Sequence, residues 1–325
     1  MSVPVAATGI DRLGLAAFVG VVLFGGANSI GVKQTVQELA PFWGGALRFV
    51  VAGVILLVIA ALTRRSFPRG RSLTGAVLYG AIGFAASFGL AYTALRDTPA
   101  GTAQVLIALV PLLTFGLAIL QRQERFRAEG LIGGLVALTG IAIVFVDQLG
   151  ANVPIVSLIF LVLAAACIAE SGVLIKWVPR SDPIATNGIA MTVGAALLLG
   201  ASLVAGEPRV LPVREATWAA IGYLVVFGSV VMFTLYLFTL ERWTASAASY
   251  STLLLPLVTV SLAAILTQEQ VSPSFLVGGA VVLVGVYIGA FLRRPHRSSA
   301  SSMPECYPVD ACGQALVPAE RSAAT

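Results

Sequence analysis

Ten apolar blocks, each about 17–25 residues long, succeed one another along the sequence, the length at which a helix rising about 1.5 Å per residue crosses about 30 Å of hydrocarbon. They lie near residues 13–32, 42–63, 73–95, 100–120, 130–146, 155–177, 184–205, 216–240, 245–267 and 274–292. In lipid every backbone N–H and C=O has to be bonded within the protein, which leaves helices or a closed barrel. The blocks lack the period-two alternation of barrel strands, so helices remain. Charge is sorted accordingly: only Arg48, Glu170 and Lys176 fall inside blocks. With 58% of residues hydrophobic, 11% charged and a mean hydropathy of +0.94, the chain is far from soluble composition, in which about 25% of residues are charged. The expected fold class is an all-α polytopic membrane protein with ten transmembrane helices. The first block is long and no A-x-A-like site follows it, which argues against a cleaved secretory signal.

Cytoplasmic loops hold the excess of Lys and Arg. With the N-terminus inside, fifteen of these residues fall on the inner side, including the clusters Arg64, Arg65, Arg69, Arg71 and Arg122, Arg125, Arg127. Only Lys33, Arg96, Arg209 and Arg214 fall outside. Both termini are therefore expected in the cytoplasm, residues 1–12 as a short segment and 293–325 as a disordered tail rich in Ser, Ala and Pro. The net charge of +5 follows from this topology. No basic stripe stands outside the loops, so the expected partner is the lipid bilayer and not nucleic acid. Cys167 reads as a small buried hydrophobe. Cys306 and Cys312 lie in the tail, and with His296 they lack the spacing of a metal site, so neither metal nor cofactor is expected.

Sliding the sequence along itself by 145 residues aligns Gly83 with Gly228, Phe88 with Phe233, Leu95 with Leu240, Pro111 with Pro256 and Glu124 with Glu269. The same register pairs Gly133, Gly134 and Gly140 with Gly278, Gly279 and Gly285, and a shift of 143 pairs Lys33 with Lys176. The chain is a tandem duplication, with repeats at 13–146 and 155–292. Five spans per repeat is an odd number, so the second repeat enters the membrane from the opposite side. Inverted repeats are a recurrent plan for secondary transporters, because the halves can exchange conformations and open a central site to each side in turn. A channel-like facilitator or a membrane scaffold would be the alternatives.

Phe24-Gly25-Gly26 with Asn28 in the first span, Pro41 and Arg48 in the second, and the paired segments ALVPLLTFGLAILQRQERFRAEGLIGGLVALTG (108–140) and LLPLVTVSLAAILTQEQVSPSFLVGGAVVLVG (254–285) carry a resemblance. Over residues 13–292 the chain resembles the EamA-type transporters of the drug/metabolite transporter superfamily. The resemblance implies ten helices in two EamA repeats, inner-membrane location and movement of small metabolites, amino acids or drugs, usually outward. Two features depart from the pattern: Gly follows Phe24 where many members carry Trp, and Glu170 is a charge that the pattern does not require.

Polar side chains are costly against lipid and turn to a cavity or another helix, which makes those inside the spans candidates for the substrate path. Pro111 and Pro256 each remove a helix hydrogen bond and kink the helix, as gating hinges or as fixed bends. Gln104 and Ser249, seven residues earlier, share a helix face with their prolines; Ser246 and Tyr250 extend that face. Asn28-Ser29 and Glu170-Ser171 form a second matched patch. Three readings of Glu170 stand open: a proton-coupling acid, a partner for a substrate ammonium, or half of an ion pair with Arg48. Arg48 is either structural or a contact for a substrate carboxylate. Lys176 is expected to snorkel to the headgroups. Tyr92 and Tyr250 are candidates for stacking on a substrate, while the remaining Tyr and Trp residues near span ends read as interface anchors. Glu124 and Glu269 read as structural caps of the helix starts at 128–130 and 273–275. The steps Gly130 to Gly134 and Gly285 to Gly289 allow close helix approach, inside the fold or in a homodimer.

Intramembrane enzymes need groups that the spans lack: paired Asp for an aspartyl protease, His for a serine hydrolase or a zincin. There is no Walker motif for ATP-driven pumping and no charged ring of the kind that lines channels. The function expected is secondary transport of small organic metabolites by alternating access, as an exporter, with proton coupling and simple facilitated exit both open and an importer as the alternative direction.

Overall fold

The structure, a computed structural model, describes residues 11–98, 100–146, 153–267 and 272–292. These build ten helical segments, α1 (Arg12–Val36), α2 (Pro41–Leu62), α3 (Arg71–Ala94), α4 (Ala100–Ile107 and Val110–Leu120), α5 (Ala128–Val144), α6 (Ile155–Trp177), α7 (Pro183–Val204), α8 (Glu215–Arg242), α9 (Ala245–Ser249 and Ser251–Thr267) and α10 (Pro273–Phe291). No strand occurs among the described residues. All but α5 meet the length and hydropathy needed to cross a membrane; α5, at 17 residues, is a shorter apolar helix. Glu269 and the tail lie outside the described residues, as do the side chains of Ser29, Ala100, Gly101, Ala263, Ala264, Leu266 and Thr267. The first helix is longer than its hydrophobic block suggests: it continues to Val36, so Lys33 belongs to it.

Local chemistry fixes the starts. Pro41, Pro183 and Pro273 occupy first turns, where the missing N–H costs nothing and the fixed φ suits the helix. The Asp182 carboxylate accepts from the N–H groups of Ile184 (3.0 Å) and Ala185 (3.2 Å), and the hydroxyls of Thr244 and Ser272 cap α9 and α10. Six helices are irregular, α10 by a π-helical turn at its end, Tyr287–Phe291, the other five in related ways. π-helical turns interrupt α3 at Gly80–Ala86 and α8 at Val226–Val231, positions equivalent under the 145-residue shift. The chain also breaks at Ala27 in α1, at residues 108–109 in α4 and at Tyr250 in α9.

Packing joins the repeats to one another. Helix α2 lies against α7, and α5 against α10; α1 packs on α8 and α9 as α6 packs on α3 and α4. Each pairing maps onto itself or onto another when the repeats are exchanged, the signature of a pseudo-two-fold arrangement. The α5–α10 contact is backbone on backbone. A Cβ on Gly133 would stand 2.7 Å from the Gly285 carbonyl oxygen, and one on Gly285 2.7 Å from that of Gly133. One on Gly140 would stand 2.8 Å from the Gly278 carbonyl oxygen. Gly289 lies equally close against Tyr250, so the step from Gly285 to Gly289 serves contacts inside the fold. In lipid, where no hydrophobic force drives helices together, such contacts supply dispersion energy that larger side chains would block.

Gly140→Ala is expected to destabilise the protein by about 1–3 kcal/mol through overpacking. Gly116→Ala, whose Cβ would meet nothing within 4 Å, is expected to stay within about 1 kcal/mol of the wild type. Thermal unfolding in detergent compares the two.

Candidate functional site

Arg48 sits two turns into α2, in the apolar interior, and is 1% exposed. Almost wholly enclosed, it has its donors met by protein groups. Nε donates to Ser229 Oγ (2.7 Å), Nη1 to the Tyr92 hydroxyl (3.2 Å), and Nη2 to Asn28 Oδ1 (3.2 Å) and the Gly228 carbonyl (2.8 Å). Gly228 and Ser229 belong to the π turn of α8, whose altered ladder presents this carbonyl sideways; Asn28 Nδ2 also donates to it (3.3 Å). The guanidinium thus joins α1, α2, α3 and α8. It also lies 5.1 Å from the ring centroid of Phe49 and 5.4 Å from that of Phe88. Ion pairs among the described residues include Arg65–Asp182, Arg127–Glu124 and Arg242–Asp11. Arg48 carries its charge with neutral partners.

Beside it lies a cavity of about 260 Å³. Apolar and aromatic side chains dominate its wall, including Val32, Tyr79, Phe88, Tyr92, Met232, Phe233, Tyr236 and Leu255, with Asn28, Arg48, Thr98, Gln104, Ser171, Ser251 and Thr252 among the polar ones. It runs from Tyr79 and Tyr236 at its deep end to Lys33, Val36 and Thr98 at the other. The two prolines shape its wall. Each lacks the N–H that would bond the carbonyl four residues earlier; those residues are Ile107 and Thr252, equivalent in the two repeats, and both line the cavity. The π turns do likewise: Gly83 lets Ser171 approach, and Gly228 lets Asn28 approach, closer than a Cβ would permit.

The two ends of the helix bundle differ. Outside the cavity, at the α8 end of the bundle, Lys176 Nζ donates to the carbonyls of Leu240 (2.8 Å) and Trp243, and Arg180 Nη2 donates to the Glu241 carbonyl (3.1 Å), both cations where a helix C-terminus is negative. Glu124 accepts from Ser246 N (3.0 Å) and from its hydroxyl, and Gln123 Nε2 donates to the Val173 carbonyl (3.0 Å). These bonds tie α4, α6, α8 and α9 together. At the other end the equivalents of Lys176, Leu240 and Trp243 are Lys33, Leu95 and Thr98. All three line the cavity, and among the described residues Lys33 makes no hydrogen bond or ion pair.

A family profile described as "EamA-like transporter family" matches residues 12–146 and 155–290, one match per repeat. The chain belongs to the EamA-like transporter family. A WAT1-related chloroplast protein of Arabidopsis thaliana is 28% identical over 279 residues, covering 82% of this chain and 67% of its own. An uncharacterized inner membrane transporter of Escherichia coli K12, YedA, is 25% identical, covering 82% and 88%. A probable terminal-alkyne amino-acid exporter of Streptantibioticus cattleyicolor is 29% identical, covering 74% and 81%. A solved crystal structure superposes with a TM-score of 0.73 at 17% identity, covering 86% of this chain and 99% of the other, and shows the shared fold. The protein is a multi-pass membrane transporter of the drug/metabolite type.

Within this EamA fold the structure brings Asn28, Arg48, Tyr92, Gln104 and Ser171 together on one cavity wall. It places other sequence candidates elsewhere. The Tyr250 hydroxyl donates to the Gly130 carbonyl (2.7 Å), and Ser249 Oγ to the Ser246 carbonyl (2.7 Å); all three side chains of Ser246, Ser249 and Tyr250 are buried. The break at Tyr250 turns this face into the α5–α10 contact, and Ser251 and Thr252 line the cavity instead. Glu170 accepts from Gln121 Nε2 at 2.9 and 2.8 Å and is not among the cavity-lining residues, so the pairing with Arg48 is absent. Glu124 caps the start of α9, across the repeats, rather than that of α5. Pro111 sits in the first turn after the break in α4, whereas Pro256 lies inside the second segment of α9, Ser251–Thr267. Tyr79 and Tyr236, which the sequence assigns to the interface, are cavity residues, and so is Lys33, which it leaves in a loop; the match of Lys33 with Lys176 is the signal that points to the latter. Among the described residues no group of three or more His, Cys, Asp or Glu is placed to hold a metal.

Removing the guanidinium would leave the Gly228 carbonyl and three side-chain acceptors in the interior, at about 1–3 kcal/mol for each unsatisfied group. Arg48→Ala is therefore expected to lower both stability and transport, whereas Glu170→Gln, which preserves an acceptor for Gln121, is expected to leave both close to wild type. Unfolding curves and transport per molecule in proteoliposomes measure the difference.

Proposed function

We propose that the protein is a secondary exporter that moves small organic metabolites, amino acids or drug-like compounds, across the inner membrane by alternating access. The observation that carries this reading is the unequal state of two equivalent lysines: Lys176 is bonded to the end of α8, while Lys33 stands unbonded in the cavity wall beside the end of α3. One fold built twice, closed at one end and parted at the other, is what a carrier looks like midway through its cycle; exchanging the two states would carry the site to the other face.

With both termini in the cytoplasm, as the distribution of Lys and Arg favours, the Lys33 end faces outward and the site is poised to release. The relative named as a probable amino-acid exporter supports the outward direction and the class of cargo. No Asp or Glu is among the residues described as lining the cavity, which favours facilitated exit along the substrate's own gradient over proton coupling through this site.

Purified protein in proteoliposomes, tested for exchange of labelled amino acids and drug-like solutes, is expected to show counterflow that an imposed pH gradient does not alter. Lys33→Met and Lys176→Met are each expected to slow exchange about fivefold, the equivalent of one hydrogen bond of about 1 kcal/mol, without loss of folding. Flux that fails to saturate would point to a channel instead, and a strict requirement for a proton gradient would overturn the uncoupled cycle.

A further inference from the structure

We propose that the cavity recognises a carboxylate, held by the remaining N–H of Arg48 Nη1 and the hydroxyl of Tyr92, so that the cargo is a small monocarboxylate with an apolar body, neutral amino acids included. This rests on the transporter reading and names its substrate class. A guanidinium has five N–H donors. Ser229, Tyr92, Asn28 and the Gly228 carbonyl take four of them, which leaves one on Nη1. Tyr92 accepts from that same Nη1, and its own proton bonds to nothing among the described residues. Arg48 and Tyr92 both line the cavity and are 1% and 4% exposed. Two donors, one of them charged, thus converge on a concave site, the arrangement that suits the two oxygens of a carboxylate.

Charge points the same way. The charged residues of the described wall are Lys33 and Arg48, both positive, and Arg48 has no acid beside it. A substrate carboxylate supplies the counter-ion that the protein withholds, and the low dielectric around a buried cation strengthens the attraction. Lys33, at the cavity end, adds to the field that draws an anion in. For an ammonium the wall offers neutral acceptors, such as the carbonyls of Ile107 and Thr252 released by the prolines; a zwitterion is tolerated and a net cation is repelled. Phe88, Phe233, Met232 and Leu255 fit an apolar body. The site is single: with Pro41 set on Pro183, Arg48 corresponds to Ala190, and the 145-residue shift sets Tyr92 on Leu237.

The test is isothermal titration of the full chain in nanodiscs with 3-phenylpropanoate, L-phenylalanine, 3-phenylpropanamide and 2-phenylethylamine. The two carboxylates are expected to bind at least about tenfold more tightly than the amide, with the amine weakest. Tyr92→Phe keeps the ring packing and removes the hydroxyl; it is expected to weaken carboxylate binding about fivefold and to leave the amide unchanged, a split that a purely structural tyrosine would not produce. Equal binding of amide and carboxylate, tightest binding of the amine, or a Tyr92→Phe variant that binds carboxylate as the wild type does would each overturn the proposal. Proteoliposomes separate it from the carrier reading: saturable exchange of the amide or amine as fast as the carboxylate would sink the carboxylate site and leave the carrier standing. If all four solutes failed to exchange, the carrier reading would fail, and the titration would still decide the site.

Discussion

A permanently charged guanidinium in the apolar interior is the constraint around which the centre of this protein is arranged. Arg48 cannot be neutralised by losing a proton, and it is almost wholly enclosed by the protein. The surrounding backbone and side chains answer with oxygen atoms drawn from three other helices, Asn28 from α1, Tyr92 from α3, and Gly228 with Ser229 from α8. The demand reaches into the helix geometry itself, since the π turn in α8 supplies both a carbonyl and a hydroxyl at the place where Arg48 needs them. Satisfying the donors without an acid holds the charge in place and leaves it uncancelled at the cavity wall.

Symmetry does the mechanical part, and its breaking does the chemical part. The contacts that hold the bundle together, α5 on α10 through Gly133, Gly140, Gly278 and Gly285, are nearly interchangeable between the repeats, as are the two π turns and the two proline-released carbonyls. The polar residues of the cavity are not. Arg48 corresponds to Ala190 in the other repeat, Tyr92 to Leu237 and Gln104 to Ser249. The lysines are the instructive exception, alike in kind between the repeats and different in state, with Lys176 bonded and Lys33 not.

Much of the fold is legible in the order of residues. Hydrophobic length gives the spans to within a few residues, because the thickness of a bilayer leaves a helix little choice. The register of Pro111 with Pro256 and of Gly133 with Gly278 gives the duplication. The site is legible in part. Asn28, Arg48, Tyr92, Gln104 and Ser171 stand out as polar groups in apolar spans, and the cavity collects them. Ser246, Ser249 and Tyr250 stand out for the same reason and go elsewhere, because a single break at Tyr250 rotates that face of α9 toward Glu124, Gly130 and Gly289. Helix periodicity carried across an unseen break assigns the wrong face.

By itself, then, the sequence determined the solvent, the number of crossings, the inverted duplication and the short set of polar exceptions, all of which depend on local composition and spacing. Only the tertiary structure decided which exceptions meet: that Glu170 turns to Gln121 rather than to Arg48, that Arg48 keeps its charge without an acid, and that Lys33 stands open where Lys176 is closed. The physical reason is that a polar group inside a membrane must find a partner or a cavity, and the sequence states the need while the packing of helices distant in the chain supplies the answer.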